Sequence, residues 1–322
     1  MDVLTETLRN QLLERKQRLN RVAPTAGTDN LLSLLRQVDA ALERLDEGSF
    51  GICEVCHESI EADRLFANPL ARTCLDHMAR PELEALERDL DLLAQVQQKL
   101  LPPRHQQFDG WEVCFDYRPF RVASGDYCDV ITGCEAINVL LGDVSGKGVA
   151  ASMLVANLHG LFRTLLPDGC NLAASLARAN RIFSESTIAS HYATLLAMRA
   201  DTEGRVTIAN AGHCIPYLIT RDRVVPISST SLPLGVFADA AFHVSEFQLE
   251  PGDAVFAYTD GLSEARNTMD EEYGSVRLAE WLNSASGLPP EQLVKGCLTD
   301  LEAFRSSTGL ADDLSILLLK RR

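Results

Sequence analysis

The chain of 322 residues has no apolar run long enough to cross a bilayer. Its acidic N-terminal stretch also lacks the succession of basic, apolar and small residues that makes a signal peptide. Positive charge is scarce: 30 lysines and arginines face 45 aspartates and glutamates, a formal net charge of −15. That balance argues against a general grip on nucleic acid or anionic lipid. It leaves room for a phosphate-bearing ligand whose charge is neutralised locally by bound cations. A disulfide framework is missing too. The nine cysteines are odd in number; three fall in one cluster and six are scattered singly, which fits a reducing, cytoplasmic setting. What the chain does have is an apolar content of 46%, enough for a real core and for two or three domains.

The first 47 residues carry helical spacing, with Leu4, Leu8 and Leu12, then Leu31, Leu34, Leu35, Val38, Leu42 and Leu45. Pro24 and Gly27 interrupt it, so the pattern predicts a short antiparallel helical hairpin whose tip is Ala23 to Thr28. Helices packed on the rest of the protein satisfy the same spacing. Next come Cys53-Glu-Val-Cys56 and, after seventeen residues, Cys74-Leu-Asp-His77. Two ligand pairs at this spacing suit tetrahedral zinc, which would supply folding energy to a module with little core. A closed four-ligand site reads as structural. His57 is a rival ligand, awkwardly placed beside Cys56.

From Pro81 the spacing changes again. Leu83, Leu86, Leu90, Leu93 and Leu100 occupy a and d positions, Gln97 is a polar a residue, and Pro102-Pro103 closes the segment. A parallel coiled-coil dimer is the expected reading, with a single helix on a domain surface as its rival. The chain thus divides into a hairpin with zinc module (1–80), a linker helix (81–103) and a third domain (104–322).

That third domain alternates short apolar runs with helical stretches. Strands are expected near 111–117, 127–131, 137–141, 192–199, 206–209, 217–220, 242–249, 254–258 and 314–320, and helices near 150–166, 171–186, 276–283 and 291–305. Strands followed by helix pairs and more strands suggest sheet layers covered by helices. Four stretches set a carboxylate at a strand end: Ser124-Gly-Asp126-Tyr, Leu141-Gly-Asp143-Val-Ser-Gly-Lys-Gly148, Tyr258-Thr-Asp260-Gly-Leu and Ala311-Asp312-Asp313-Leu. A carboxylate beside an apolar strand is costly unless paired or metal-bound. Several acids with few histidines suit Mg²⁺ or Mn²⁺ better than zinc.

Two resemblances follow from these residues. The segment from Ala41 to Cys56, with Cys74 and His77, resembles the DksA/TraR zinc-finger proteins, with His77 standing where many relatives have cysteine. The hairpin tip lacks the acidic character by which longer relatives act in RNA polymerase, and acids outnumber bases around the finger. The four acidic stretches, together with Asn210-Ala-Gly-His213, Ser231-Leu-Pro-Leu-Gly235, Tyr258 to Asn267 and the entry segment Gln95 to Pro103, resemble the SpoIIE/RsbU branch of the PPM metal-dependent protein phosphatases. This second resemblance implies an α+β fold, an αββα sandwich of two antiparallel sheets flanked by helices. It also implies two Mn²⁺ or Mg²⁺ ions, metal-activated water attack, and a phosphoserine or phosphothreonine protein substrate, often an anti-sigma-factor antagonist of STAS fold.

By position, the resemblance gives Asp143 the bridging role between both ions, with the Val144 carbonyl near one of them. Asp260 and Asp312 would hold the second ion, with Asp313 the neighbouring alternative to Asp312. Asp126 would act directly or through a water, and Arg121 would hold phosphate. No cysteine or serine is expected as nucleophile. His213 reads better as a packed loop histidine than as a proton donor, and Lys147 as a solvated lysine. The first acidic motif departs from the family in having Ser124 where a second glycine is usual. The expected partners are a phosphorylated regulatory protein, a possible upstream partner at the zinc module and a second copy through the linker, without nucleic acid or membrane. Rival readings are a non-catalytic scaffold that sequesters a phosphoprotein and a zinc-finger transcription regulator.

Overall fold

The structure, a computed structural model, describes residues 3–22, 29–133, 135–166, 171–187, 191–228 and 231–322. It divides into two compact units, residues 1–89 and 90–322.

In the first unit, α1 (Val3–Val22) and α2 (Asp29–Glu47) form the expected hairpin. Their antiparallel register is fixed by Arg9–Asp46 at 2.7 Å and Lys16–Asp39 at 2.6 Å. The apolar stripe of each helix is buried against the other through Leu12, Val38, Ala41 and Leu45. The expected tip, residues 23–28, lies outside the described residues. A short α3 (Ala62–Ala67) and a single 3₁₀ turn (Leu75–His77) complete the finger, whose small core gathers Leu8, Ile60, Leu65 and Ala71 around Cys53 and Cys74.

Helix α4 (Arg80–Leu100) covers the expected linker and stops just before Pro102-Pro103. The division between the units falls inside it, between Asp89 and Leu90. Leu86, Leu92 and Val96 are exposed on it, whereas Gln97 is only 8% exposed. Gln97 was expected in a helix–helix seam. It faces the second unit's own loop instead, for reasons given below.

The second unit runs β1 (His105–Phe108), β2 (Trp111–Arg118), β3 (Asp126–Thr132), β4 (Ala136–Val144), α5 (Val149–Leu165), α6 (Leu172–Ser186), β5 (Ala193–Asp201), β6 (Arg205–Ala211), β7 (Tyr217–Ile219), β8 (Val224–Pro226), β9 (Ser245–Gln248), β10 (Ala254–Tyr258), α7 (Asp260–Ser263), α8 (Gly274–Ala285), α9 (Pro290–Arg305) and β11 (Leu314–Arg321). The strands form two sheets, ordered β1-β2-β11-β10-β7-β8 and β3-β4-β5-β6-β9, and every pairing is antiparallel. Val113, Val139, Leu141, Met198, Val255 and Leu317 pack between the sheets. On the far side of the five-stranded sheet, Leu158, Phe162 and Phe183 of α5 and α6 cover Leu140 and Leu195. Leu278, Leu282, Leu298 and Leu301 of α8 and α9 cover Phe256 and Ile316 of the other sheet. The result is the expected αββα layering. Because central strands such as β4 are covered on both faces, they read as continuous apolar runs rather than as alternation.

Candidate metal centres

In the first unit, one ligand atom from each of Cys53, Cys56, Cys74 and His77 lies within 4.8 Å of the others. Cys74 Sγ is 3.1 Å from His77 Nδ1 and 3.8 Å from Cys56 Sγ. The turn after Cys53 is drawn tight by His57 N–H, which donates to the Cys53 carbonyl at 2.9 Å, and His57 itself takes a left-handed φ of 60°. That turn leaves His57 out of the group and His77 in it. Three sulfurs and one imidazole fit a tetrahedral, borderline-soft cation.

In the second unit the four acidic turns meet at one edge of the sandwich. Asp126 and Asp143 are register partners at the ends of β3 and β4. Asp143 is the penultimate residue of its strand and half-buried, so it lies further inside the fold than an exposed strand end. Asp260 opens α7 directly after β10, and Asp312 and Asp313 precede β11. β10 and β11 are neighbours, which brings these last three acids together. Gly261 makes that approach possible: a Cβ there would lie 1.9 Å from the Asp313 carbonyl oxygen. Gly125 does the same between β3 and β4, where a Cβ would lie 2.9 Å from the Val144 carbonyl oxygen and 3.1 Å from Asp143 Oδ1. The unusual Ser124 is harmless because the crowded position is Gly125. The serine hydroxyl accepts from Asp126 N–H at 3.0 Å.

Each carboxylate has its own surroundings. Asp126 is buried; its Oδ2 accepts from Ser315 Oγ at 2.6 Å and Thr259 Oγ1 at 3.0 Å. Burial, then the neighbouring Asp143, push its pKa well above the usual range despite those hydroxyls. Asp143 is pushed up to about 7 by burial and by the charges of Asp260, Asp312 and Asp313. Asp260 is raised by burial and by Glu264 and Asp312. Asp313 is buried and structurally occupied, accepting from Phe120 N–H at 2.7 Å and Gly125 N–H at 2.9 Å. Asp312 is half-buried, and its Oδ2 meets Lys147 Nζ at 2.8 Å. The lysine expected to be solvated is thus an ion-pair partner of the candidate ligand. No three of these carboxylates approach as tightly as the Cys53 group, among the described residues.

The donor set fits hard divalent cations: oxygen ligands from several strand ends, carboxyls whose mutual repulsion a cation would relieve, and a nearby main-chain carbonyl. Arg121 is exposed at the rim, its guanidinium 5.6 Å from the Phe120 ring centre, on the loop whose Phe120 N–H binds Asp313. His213 is buried, with Nδ1 2.9 Å from Thr194 Oγ1, and burial lowers its pKa to about 4, which agrees with a packed loop histidine. Residues that the sequence reading passed over are Thr259 and Ser315, which hold Asp126, and Gly261. All three sit inside or beside the acidic motifs, and that adjacency was the available signal.

An antiparallel αββα sandwich with aspartates from four turns at one edge has the architecture of the PPM phosphatase class. The chain belongs to the SpoIIE family: the model for Stage II sporulation protein E matches residues 135–322. The prokaryotic DksA/TraR C4-type zinc-finger model matches residues 48–76. Phosphoserine phosphatase RsbU of Bacillus subtilis is 24% identical over 244 residues, 74% of this chain and 72% of that protein. Protein IcfG of Synechocystis is 26% identical over 230 residues, covering 61% of this chain, which therefore spans about a third (36%) of that relative. Among solved structures, the RsbU and RsbW domains of Rv1364c from Mycobacterium tuberculosis align with TM-score 0.59 and 27% identity over 66% of this chain and 60% of that one. The SiaA-PP2C domain of Pseudomonas aeruginosa aligns with TM-score 0.66 over 76% of this chain and all (100%) of that one; at 19% identity this likeness concerns the fold.

Proposed function

We propose that the protein is a metal-dependent phosphatase that hydrolyses phosphoserine or phosphothreonine on a regulatory protein, a STAS-type anti-sigma-factor antagonist in partner-switching signalling. The observation that carries this reading is the convergence of Asp126, Asp143, Asp260 and Asp312 on one edge, with the Asp143 carboxyl pushed up to about 7 by burial and then by its acidic neighbours. The name of the RsbU relative supports a phosphoserine substrate.

Two Mn²⁺ or Mg²⁺ ions bound there would polarise water and phosphate oxygens near neutral pH. Asp143, the Val144 carbonyl, Asp260 and Asp312 would hold them, and Lys147 now pairs with Asp312. Asp313 spends both oxygens on backbone N–H groups, which favours Asp312 as the direct ligand. Asp126 is held in one orientation by Thr259 and Ser315 and acts directly or through a water. Arg121, exposed on the loop whose Phe120 N–H binds Asp313, would receive a phosphate oxygen. Cys128 is buried, and burial pushes its thiol well above the usual range, so it is unsuited to be a nucleophile.

Cys53, Cys56, Cys74 and His77 would hold one structural zinc. Leu86, a seam residue left exposed on α4, supports dimerisation through the linker, and a signalling partner would act at the zinc module. The direct test incubates a phosphorylated STAS protein with the enzyme and Mn²⁺, with and without chelator. Phosphate release that Asp143→Asn abolishes supports catalysis, whereas stable binding without release favours a scaffold. If removal of residues 1–80 changes neither activity nor oligomeric state, regulation through the N-terminal module is wrong.

A further inference from the structure

The last turn of α4 is bonded to the loop that leads into the strand carrying Asp126 and, through Arg163, to that strand itself. Gln97 makes two hydrogen bonds to one residue: its Nε2 donates to the Ser124 carbonyl at 2.9 Å, and its Oε1 accepts from Ser124 N–H at 3.1 Å. Ser124 is wholly buried and precedes Gly125, whose N–H binds Asp313. A second tie lies beyond Asp126 on the same strand. Arg163 of α5 grips Asp129 with Nε at 2.8 Å and Nη2 at 3.1 Å, and the same Nη2 donates to the Leu100 carbonyl at 2.7 Å. Leu100 ends α4, where carbonyls lack partners within the helix. Asp129 is 2% exposed and also meets His159 Nδ1 at 2.9 Å, so its carboxylate is fully engaged. The helix end thus brackets Asp126, through its own amide on one side and through a borrowed guanidinium on the other.

We propose that Gln97 and Arg163 are positioning residues for the metal edge, fixing the segment from Ser124 to Asp129 so that Asp126 faces Asp143. This rests on the metal reading above. Neither residue touches the reacting atoms. Each acts on the backbone or strand that presents Asp126, as outer-shell partners orient metal ligands elsewhere. A Gln rather than an apolar residue is what the site requires: at a buried position facing backbone, only a group with both donor and acceptor satisfies the N–H and the carbonyl together. This contact also accounts for the polar a position in an otherwise leucine-lined helix.

The test measures Mn²⁺ affinity by titration calorimetry on the full, zinc-loaded chain, alongside kcat and KM for a phosphoserine substrate. Gln97→Met keeps the volume and loses both hydrogen bonds. Arg163→Lys keeps a cation for Asp129 and loses the fork that reaches Leu100. Each is expected to weaken Mn²⁺ binding by about tenfold, the lower end of outer-shell effects. Saturating Mn²⁺ should restore kcat to within about twofold, with KM unchanged, while the chelated midpoint of Gln97→Met falls because the Ser124 N–H and carbonyl lose their buried partner. Mn²⁺ affinity unchanged in both variants, measured well below their midpoints, would overturn the proposal, as would a kcat that saturating Mn²⁺ fails to restore. Asp143→Asn separates the two layers of inference: if it leaves Mn²⁺ binding intact, the metal reading fails rather than the positioning role.

Discussion

Asp143→Asn should make the metal-free protein more stable while it removes activity. Asparagine is nearly isosteric and carries no charge, so it ends the repulsion from Asp260, Asp312 and Asp313 that, with burial, raises Asp143 to about 7. A carboxyl whose folded pKa lies above its unfolded value of 3.8 binds its proton more tightly in the folded state. Its ionisation therefore costs stability. The cost is absent below pH 4, where both states are protonated, grows from there to pH 7 and is complete above. Roughly three pKa steps at 1.36 kcal/mol each set a ceiling of about 4 kcal/mol. Partial exposure to screening solvent reduces the expected gain to about 2 kcal/mol, a rise in midpoint of about 6 °C for a unit of this size. Thermal unfolding in chelator at pH 8 and pH 4.5, followed by tryptophan fluorescence, is the assay. Both tryptophans, Trp111 and Trp281, lie in the second unit, so the signal does not mix with loss of the zinc module. A gain at pH 8 that shrinks to about a quarter of its size at pH 4.5 is expected; an equal or lower midpoint at pH 8 would refute the electrostatic account.

Two further predictions concern the backbone at the acidic turns and the cysteine group. Gly261→Ala would force a Cβ to within 1.9 Å of the Asp313 carbonyl oxygen, so the two turns must part. Activity should fall at least about a hundredfold, as expected when reacting groups are misplaced by about 1 Å, and calorimetry should show a loss of about 2–4 kcal/mol as for strained small-to-large changes. Cys56→Ser should abolish zinc in metal analysis and leave residues 1–80 open to proteolysis, with the tryptophan unfolding midpoint unmoved.

Much of this arrangement was readable from residues because the chemistry is local to short motifs. An apolar run that ends in Gly-Asp identifies both the strand and the carboxylate, and the spacing of Cys53, Cys56, Cys74 and His77 identifies the four residues whose ligand atoms gather. The long helices and central strands were found within a few residues for the same reason: their apolar patterns are set by which faces are covered. β1, with sequence His-Gln-Gln-Phe, escaped notice because an edge strand needs little apolar content, and β8, Val-Val-Pro, because three residues are too few to show a period. Contacts across sequence distance were unreadable. Nothing local tells that Lys147 will pair with Asp312, or that Arg163 will bridge Asp129 and Leu100. Gln97 is the instructive case. Heptad spacing placed it in a seam between helices, yet the seam rule assumes a helical partner, and here the nearest unsatisfied backbone groups belonged to Ser124.

The central claim is that aspartates from separate turns form one binding site for two divalent ions. Mn²⁺ titration of the zinc-loaded chain by calorimetry and electron paramagnetic resonance tests it most directly. The account predicts two spin-coupled Mn²⁺ per chain, both lost or severely weakened by Asp143→Asn and one by Asp260→Asn. Absence of Mn²⁺ binding at millimolar metal, or binding indifferent to Asp143→Asn, would contradict it.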